Sequence, residues 1–207
     1  MPVLIHSLDL FGTMAFAVTG AMKGVAFKMD ILGVIVLSSI TGMAGGMLRD
    51  IVLGRTPPAA LIDPTYILVT TITGISVFYL YANIKSLLGL FLKFDALGLG
   101  VFSIIGATIA LNGGYGLNLL IMMFAGVITA VGGGIVRDVL VNEKPLVFIK
   151  ELYVSLSFIG ILLFFSLLYI GVALDTSSII GISFITGLRI AAVRFNWNLP
   201  RRKANDL

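Results

Sequence analysis

The chain has no cysteine, one histidine and one tryptophan in 207 residues, and only 12% of its residues are charged. Without thiols there are no disulfides and no thiolate metal sites, and the redox compartment stays unconstrained. A lone His6 near the N-terminus cannot build a histidine-rich metal centre. With no cysteine, no central histidine and carboxylates lying apart from one another, an enzyme is not expected. Soluble domains carry about 25% charged residues. Here 58% of the residues are hydrophobic and the mean hydropathy is +1.10. A soluble fold of this length could not hide that much apolar surface. The composition predicts an all-α integral membrane protein.

About 20 mostly apolar residues cross the hydrocarbon core as a helix. That ruler predicts seven transmembrane helices, over Val3–Phe27, Ile31–Leu53, Pro64–Tyr81, Asp95–Leu111, Gly116–Val141, Lys150–Ala173 and Ser177–Arg194. The connections are short, so the whole chain reads as one transmembrane domain. The start, "MPVLIHSLDLF", has no basic segment ahead of its apolar run, so it is expected to be a retained first span. Lysine and arginine near the helix ends set the orientation. With the N-terminus outside, twelve of them fall on the cytoplasmic side, from Lys23 and Lys28 to the tail 195–207, against Arg49 and Arg55 outside. The expectation is a multi-pass cell-membrane protein with its N-terminus out and C-terminus in. The net charge of +4 is then a matter of membrane topology and lipid contact, and gives no reason to invoke nucleic acid.

Glycine is abundant where a buried helix should avoid it. "TGMAGGMLRD" at 41–50 returns as "TAVGGGIVRD" at 129–138, so Thr41, Gly45, Gly46, Arg49 and Asp50 match Thr129, Gly133, Gly134, Arg137 and Asp138. Upstream, "DLFGTMAFAVTGA" at 9–21 matches "DALGLGVFSIIGA" at 95–107. The repeats cover 3–82 and 95–173, leaving a seventh helix at 177–194 and a basic tail. Three spans per repeat is an odd number, so the two copies are expected to enter the membrane inverted. Asp9 and Asp95 fall at matching helix starts and read as caps.

Glycine frees the backbone, and broken helices near the midplane build ion sites from released carbonyls. Gly45, Gly46, Gly132, Gly133 and Gly134 are therefore candidate pore or kink positions. Thr41, Thr129, Ser38 and Ser39 add hydroxyl oxygens suited to potassium or sodium near the kink backbone, and the spacing assigns no ligand set. The competing reading is close helix packing through small residues. Arg49, Asp50, Arg137 and Asp138 are costly in a membrane and usually functional there. Asp50 and Asp138 are expected to draw cations to the pore mouths, and Arg49 and Arg137 to organise or gate them. No cofactor is expected beyond the permeant ion. The rival function is a secondary transporter moving a small solute by alternating access.

The paired "AGGMLRD" and "GGGIVRD" segments, seven spans and N-out orientation resemble the trimeric intracellular cation channel family, in its prokaryotic branch. The resemblance covers nearly the whole chain. It implies a homotrimer in which each protomer has its own pore, formed by the first, second, fourth and fifth spans with glycine kinks in the second and fifth. It also implies passive permeation of monovalent cations, chiefly potassium. Gly45 and Gly46 match one kink and Gly132, Gly133 and Gly134 the other, with Ala44 standing where the second copy has Gly132. Animal members bear lysines near the second kink and bind phosphoinositide; "VGGGIVRD" has none.

Overall fold

The computed structural model describes residues 3–83, 87–149, 152–195 and 197. Among these there are nine α-helices where seven were expected. They are α1 (Val3–Ala26), α2 (Ile31–Val52), α3 (Ala59–Ile62), α4 (Pro64–Leu80), α5 (Leu87–Ala110), α6 (Leu119–Leu140), α7 (Leu146–Ile149), α8 (Val154–Tyr169) and α9 (Leu174–Arg194). The two additions, α3 and α7, are single turns following the Arg-Asp motifs. Five helices are long and apolar enough to cross a membrane, and α4 and α8 are shorter apolar helices. At 1.5 Å per residue, α4 and α8 reach only about 25 Å, against a hydrocarbon core of about 30 Å.

Local signals explain the boundaries. Asp30 caps α2 by accepting from the Gly33 amide at 2.7 Å, and Asn118 caps α6 by accepting from Ile121 at 3.2 Å. Both helices end alike, with left-handed Gly54 after α2 and Asn142 after α6, followed by Arg55 and Glu143 amides turning back to the Asp50 and Asp138 carbonyls. Pro64 opens α4 behind Asp63, whose carboxylate accepts from the Thr65 amide at 2.9 Å. The Thr65 hydroxyl and amide hold the Asp63 carboxyl below the usual carboxylate range.

One boundary was misplaced for an instructive reason. The fourth span was expected to begin at Asp95, but α5 begins at Leu87. Asp9 and Asp95 are therefore not caps: each lies about two turns inside its helix, buried. Sequence reading put a charge at a helix start because it had no partner to offer it inside. The seventh helix also starts earlier than expected, at Leu174, and the sixth ends at Tyr169, ahead of left-handed Gly171. Most of the tail 195–207, with Arg201, Arg202 and Lys203, and the sites Lys85 and Lys150 lie outside the described residues.

The most buried long helix is α5, which packs against α1, α6, α8 and α9. Its apolar core includes Leu99, Phe102, Ile104, Ile105 and Ile109. At the centre, Phe16 of α1 meets Phe102 of α5 with centroids 5.2 Å apart. A Cβ on Gly12 would lie 2.7 Å from the Phe102 ring, and one on Gly98 2.8 Å from Phe16. Contacts running 12 to 102 and 16 to 98 mean that α1 and α5 pass each other in opposite senses.

Candidate functional site

The two glycine motifs meet. A Cβ built on Gly45 would strike the Thr129 carbonyl oxygen, and one on Gly133 would strike the Thr41 carbonyl oxygen, both far inside contact distance. Pairing 45 with 129 and 41 with 133 makes α2 and α6 antiparallel along this contact. No other residue type lets two helix backbones approach so closely. The interrupted backbone expected at Gly45–Gly46 and Gly132–Gly134 is not found: α2 and α6 run through these positions as unbroken α-helix. Packing satisfies the glycines without freeing a carbonyl from its ladder.

The hydroxyls expected near an ion have protein partners. Thr41 and Thr129 donate back to the Leu37 and Ala125 carbonyls, each at 2.6 Å. Gly20 and Gly106 make room for those two hydroxyls, each 2.5 Å from where a Cβ would sit. Ser38 donates to the Ala17 and Thr70 carbonyls, at 3.1 and 3.0 Å, joining α2 to α1 and α4. Ser39 accepts from the Thr70 hydroxyl at 3.0 Å.

The charges are deeper and more fully paired than pore mouths would be. Arg49, Asp50, Arg137 and Asp138 are each at most 1% exposed. Residues adjacent on a helix point about 100° apart, yet Arg49 Nε donates to Asp50 at 3.0 Å and Arg137 Nε to Asp138 at 2.8 Å. The long guanidinium stem curls back, which the 100° offset between neighbouring Cβ atoms does not forbid. The other Asp50 oxygen accepts from the Ala59 amide that opens α3, and the other Asp138 oxygen from the Leu146 amide that opens α7, both at 3.0 Å. These aspartates therefore clamp the single-turn helices rather than face outward.

Asp9 and Asp95 are the residues that the sequence reading misassigned. Asp9 lies 4.0 Å from Arg49 Nη1 and accepts from Tyr66 Oη at 2.6 Å. Asp95 lies 3.3 Å from Arg137 Nη1, which also donates to Thr19 at 2.8 Å. Tyr153 is buried among Asp95, Arg137 and Arg189. The signal was present: in each copy one matched carboxylate stood upstream of one matched Arg-Asp pair. Buried polar capacity remains, because Arg49 Nη1, Arg137 Nη2 and Asp95 Oδ2 have no hydrogen-bond partner. A cavity of about 10 Å³, the size of a single water, lies among Asp9, Gly46, Arg49, Asp50 and Tyr66. Lys23, near the cytoplasmic end of α1 in the expected orientation, turns in: its side chain is 15% exposed, paired with Glu143 and 3.9 Å from Asp138.

Long apolar helices enclosing two buried charge clusters beside a glycine contact define a multi-spanning membrane protein with polar chemistry in its interior. A family profile described as "Glycine transporter" matches the chain twice, over residues 6–82 and 92–169. The inner membrane protein YadS of Escherichia coli is 36% identical over 96% of both chains. The trimeric intracellular cation channel orthologue from Rhodobacter sphaeroides is 33% identical, with a TM-score of 0.89, covering 94% of this chain and 99% of that one. A second solved cation channel of this kind is 35% identical, with a TM-score of 0.87, covering 98% of both chains. The chain belongs to the family that this profile describes, in the prokaryotic branch of the trimeric intracellular cation channels.

Proposed function

We propose that this protein is a cation channel that conducts potassium, and sodium less well, through a route inside each protomer of a homotrimer. The observation that carries the reading is the full-length likeness, at 33% and 35% identity, to solved cation channels. The seven longer helices are seven crossings, with α1–α4 and α5–α8 as oppositely inserted copies and α9 outside the repeat. The N-terminus lies outside and the C-terminus in the cytoplasm, with membrane lipid as the only other partner. The opposed passage of α1 past α5 and of α2 past α6 supports the inversion.

The route follows the contact between α2 and α6, flanked by the Arg49 and Arg137 clusters. With Gly45 and Gly133 seated on the Thr129 and Thr41 carbonyls, this conformation is shut. Conduction requires α2 and α6 to part there, which would turn those two carbonyls and the hydroxyls of Thr41 and Thr129 toward a passing ion. Each cluster sets two carboxylates around one guanidinium, which supports a route for cations over anions.

A second reading has its own support in the family's description, namely a carrier for glycine or a similar small zwitterion. The test is purified protein reconstituted in two ways. Planar bilayers under a potassium–sodium gradient should show resolved unitary currents reversing on the potassium side of zero. Vesicles preloaded for radiolabelled glycine uptake should show no saturable accumulation. Saturable uptake without unitary currents would replace the channel with the carrier.

A further inference from the structure

Where α1 ends and α5 begins, a cavity of about 420 Å³ is lined by Lys23, Phe27, Tyr81, Phe91 and Glu143, among others. The Lys23 ammonium sits 5.7 Å from the Phe27 ring centroid and 5.8 Å from that of Phe91. It pairs with Glu143 and lies 3.9 Å from Asp138. Aromatic faces with a carboxylate make a receptor for an ammonium ion, and here the chain supplies that ammonium itself. On the far side of Asp138, Arg137 stacks 4.7 Å over the same Phe91 ring and reaches Asp95 at 3.3 Å. Charge therefore alternates inward from Glu143, which is half-exposed, through Lys23, Asp138 and Arg137 to fully buried Asp95.

The device is not repeated at the matching position around Asp50. The alignment that matches Asp9 with Asp95 places Ile109 opposite Lys23, and the alignment that matches Asp50 with Asp138 places Arg55 opposite Glu143. Whatever Lys23 does, it does at one end of the molecule only.

We propose that Lys23 is a tethered ammonium occupying a cation site between Phe27, Phe91 and Glu143, and that it excludes free cations from Asp138 until it swings away. The site is selective for ammonium-type ions, because two ring faces attract a cation without offering the oxygen shell that a potassium ion needs. This rests on the channel reading for its effect on current, but not for its binding chemistry.

The experiment uses the full chain with Lys23→Ala, which empties the site, and Lys23→Met, which removes the charge but keeps it filled. The probe is n-butylammonium, a free copy of the lost side chain. In planar bilayers both variants should pass about twofold more potassium current than the parent, since a fixed positive charge has left the mouth. Millimolar n-butylammonium, applied to each side in turn, should return Lys23→Ala to parental current from one side only, leaving Lys23→Met and the parent unchanged. In detergent, n-butylammonium should raise the thermal midpoint of Lys23→Ala and of neither other protein. Equal responses of all three proteins to n-butylammonium would overturn the proposal. If neither the parent nor either variant passes current, the channel reading alone is refuted, because the thermal-shift comparison still decides whether the site exists. If Lys23→Ala fails to fold, unchanged current in Lys23→Met overturns the proposal and the twofold rise supports it.

Discussion

Four glycines in the two motifs differ in what a methyl group would meet. At Gly45 and Gly133 it meets a backbone carbonyl of the facing helix, whereas at Gly46 and Gly134 the nearest atoms are arginine Nη2 atoms at 3.6 and 3.7 Å. Gly45→Ala or Gly133→Ala should therefore lower stability by about 1–3 kcal/mol by forcing α2 from α6. Gly46→Ala and Gly134→Ala should be close to neutral, and thermal unfolding in detergent separates the two classes. The aspartates of the motifs give a second residue-scale expectation. An asparagine at Asp138 has one acceptor oxygen, yet Arg137 Nε and the Leu146 amide both need one. Asp138→Asn should cost about 1–3 kcal/mol by opposing two donors, and faster hydrogen exchange at Leu146 would locate the loss. The sequence marked every one of these residues as special. It could not say which glycine faces a backbone, because composition carries no helix phase.

At the scale of elements, the duplicated clusters tie helices that are distant in the chain. Arg137 holds α6 to α5 through Asp95 and to α1 through Thr19. Removing one partner of a buried ion pair costs about 3–5 kcal/mol, mostly by stranding the other charge. Asp95→Asn alone should reach the low end, because Asp138 still pairs Arg137. Combined with Arg137→Met, it should cost less than the sum of the singles, a coupling that a double-mutant cycle in urea would read out. Element existence was legible from apolar length, and α2 starts at Ile31 as expected, whereas α6 starts at Leu119 rather than Gly116. The single-turn helices α3 and α7 were not, since four residues after prolines carry no period. Nor was the true start of α5: Asp95 read as a boundary because its partner Arg137 lies 42 residues away in sequence.

For the whole molecule, duplicated sequence predicted duplicated contacts, and these recur closely: Gly20 with Thr41 and Gly106 with Thr129, Gly45 with Thr129 and Gly133 with Thr41. The antiparallel passage of α2 and α6 is what lets the two motifs meet through the same residues from both sides. What the sequence concealed was that the glycines serve as the contact surface itself, in helices that stay whole. In the channel reading, a route shut by a contact this close opens only by separating it, and this makes the α2–α6 seam the place to test.

The absence of cysteine makes that test clean. Gly46→Cys places a thiol beside the seam, where the nearest atom to a Cβ is 3.6 Å away and the 10 Å³ cavity begins. Single-channel recording of this variant before and after a positively charged methanethiosulfonate reagent is the most direct measurement. A cation route along the seam predicts an irreversible fall in unitary potassium current for Gly46→Cys and none for the cysteine-free parent. Unitary currents that persist unchanged in the labelled variant, with labelling confirmed by mass, would contradict a cation route along the α2–α6 seam.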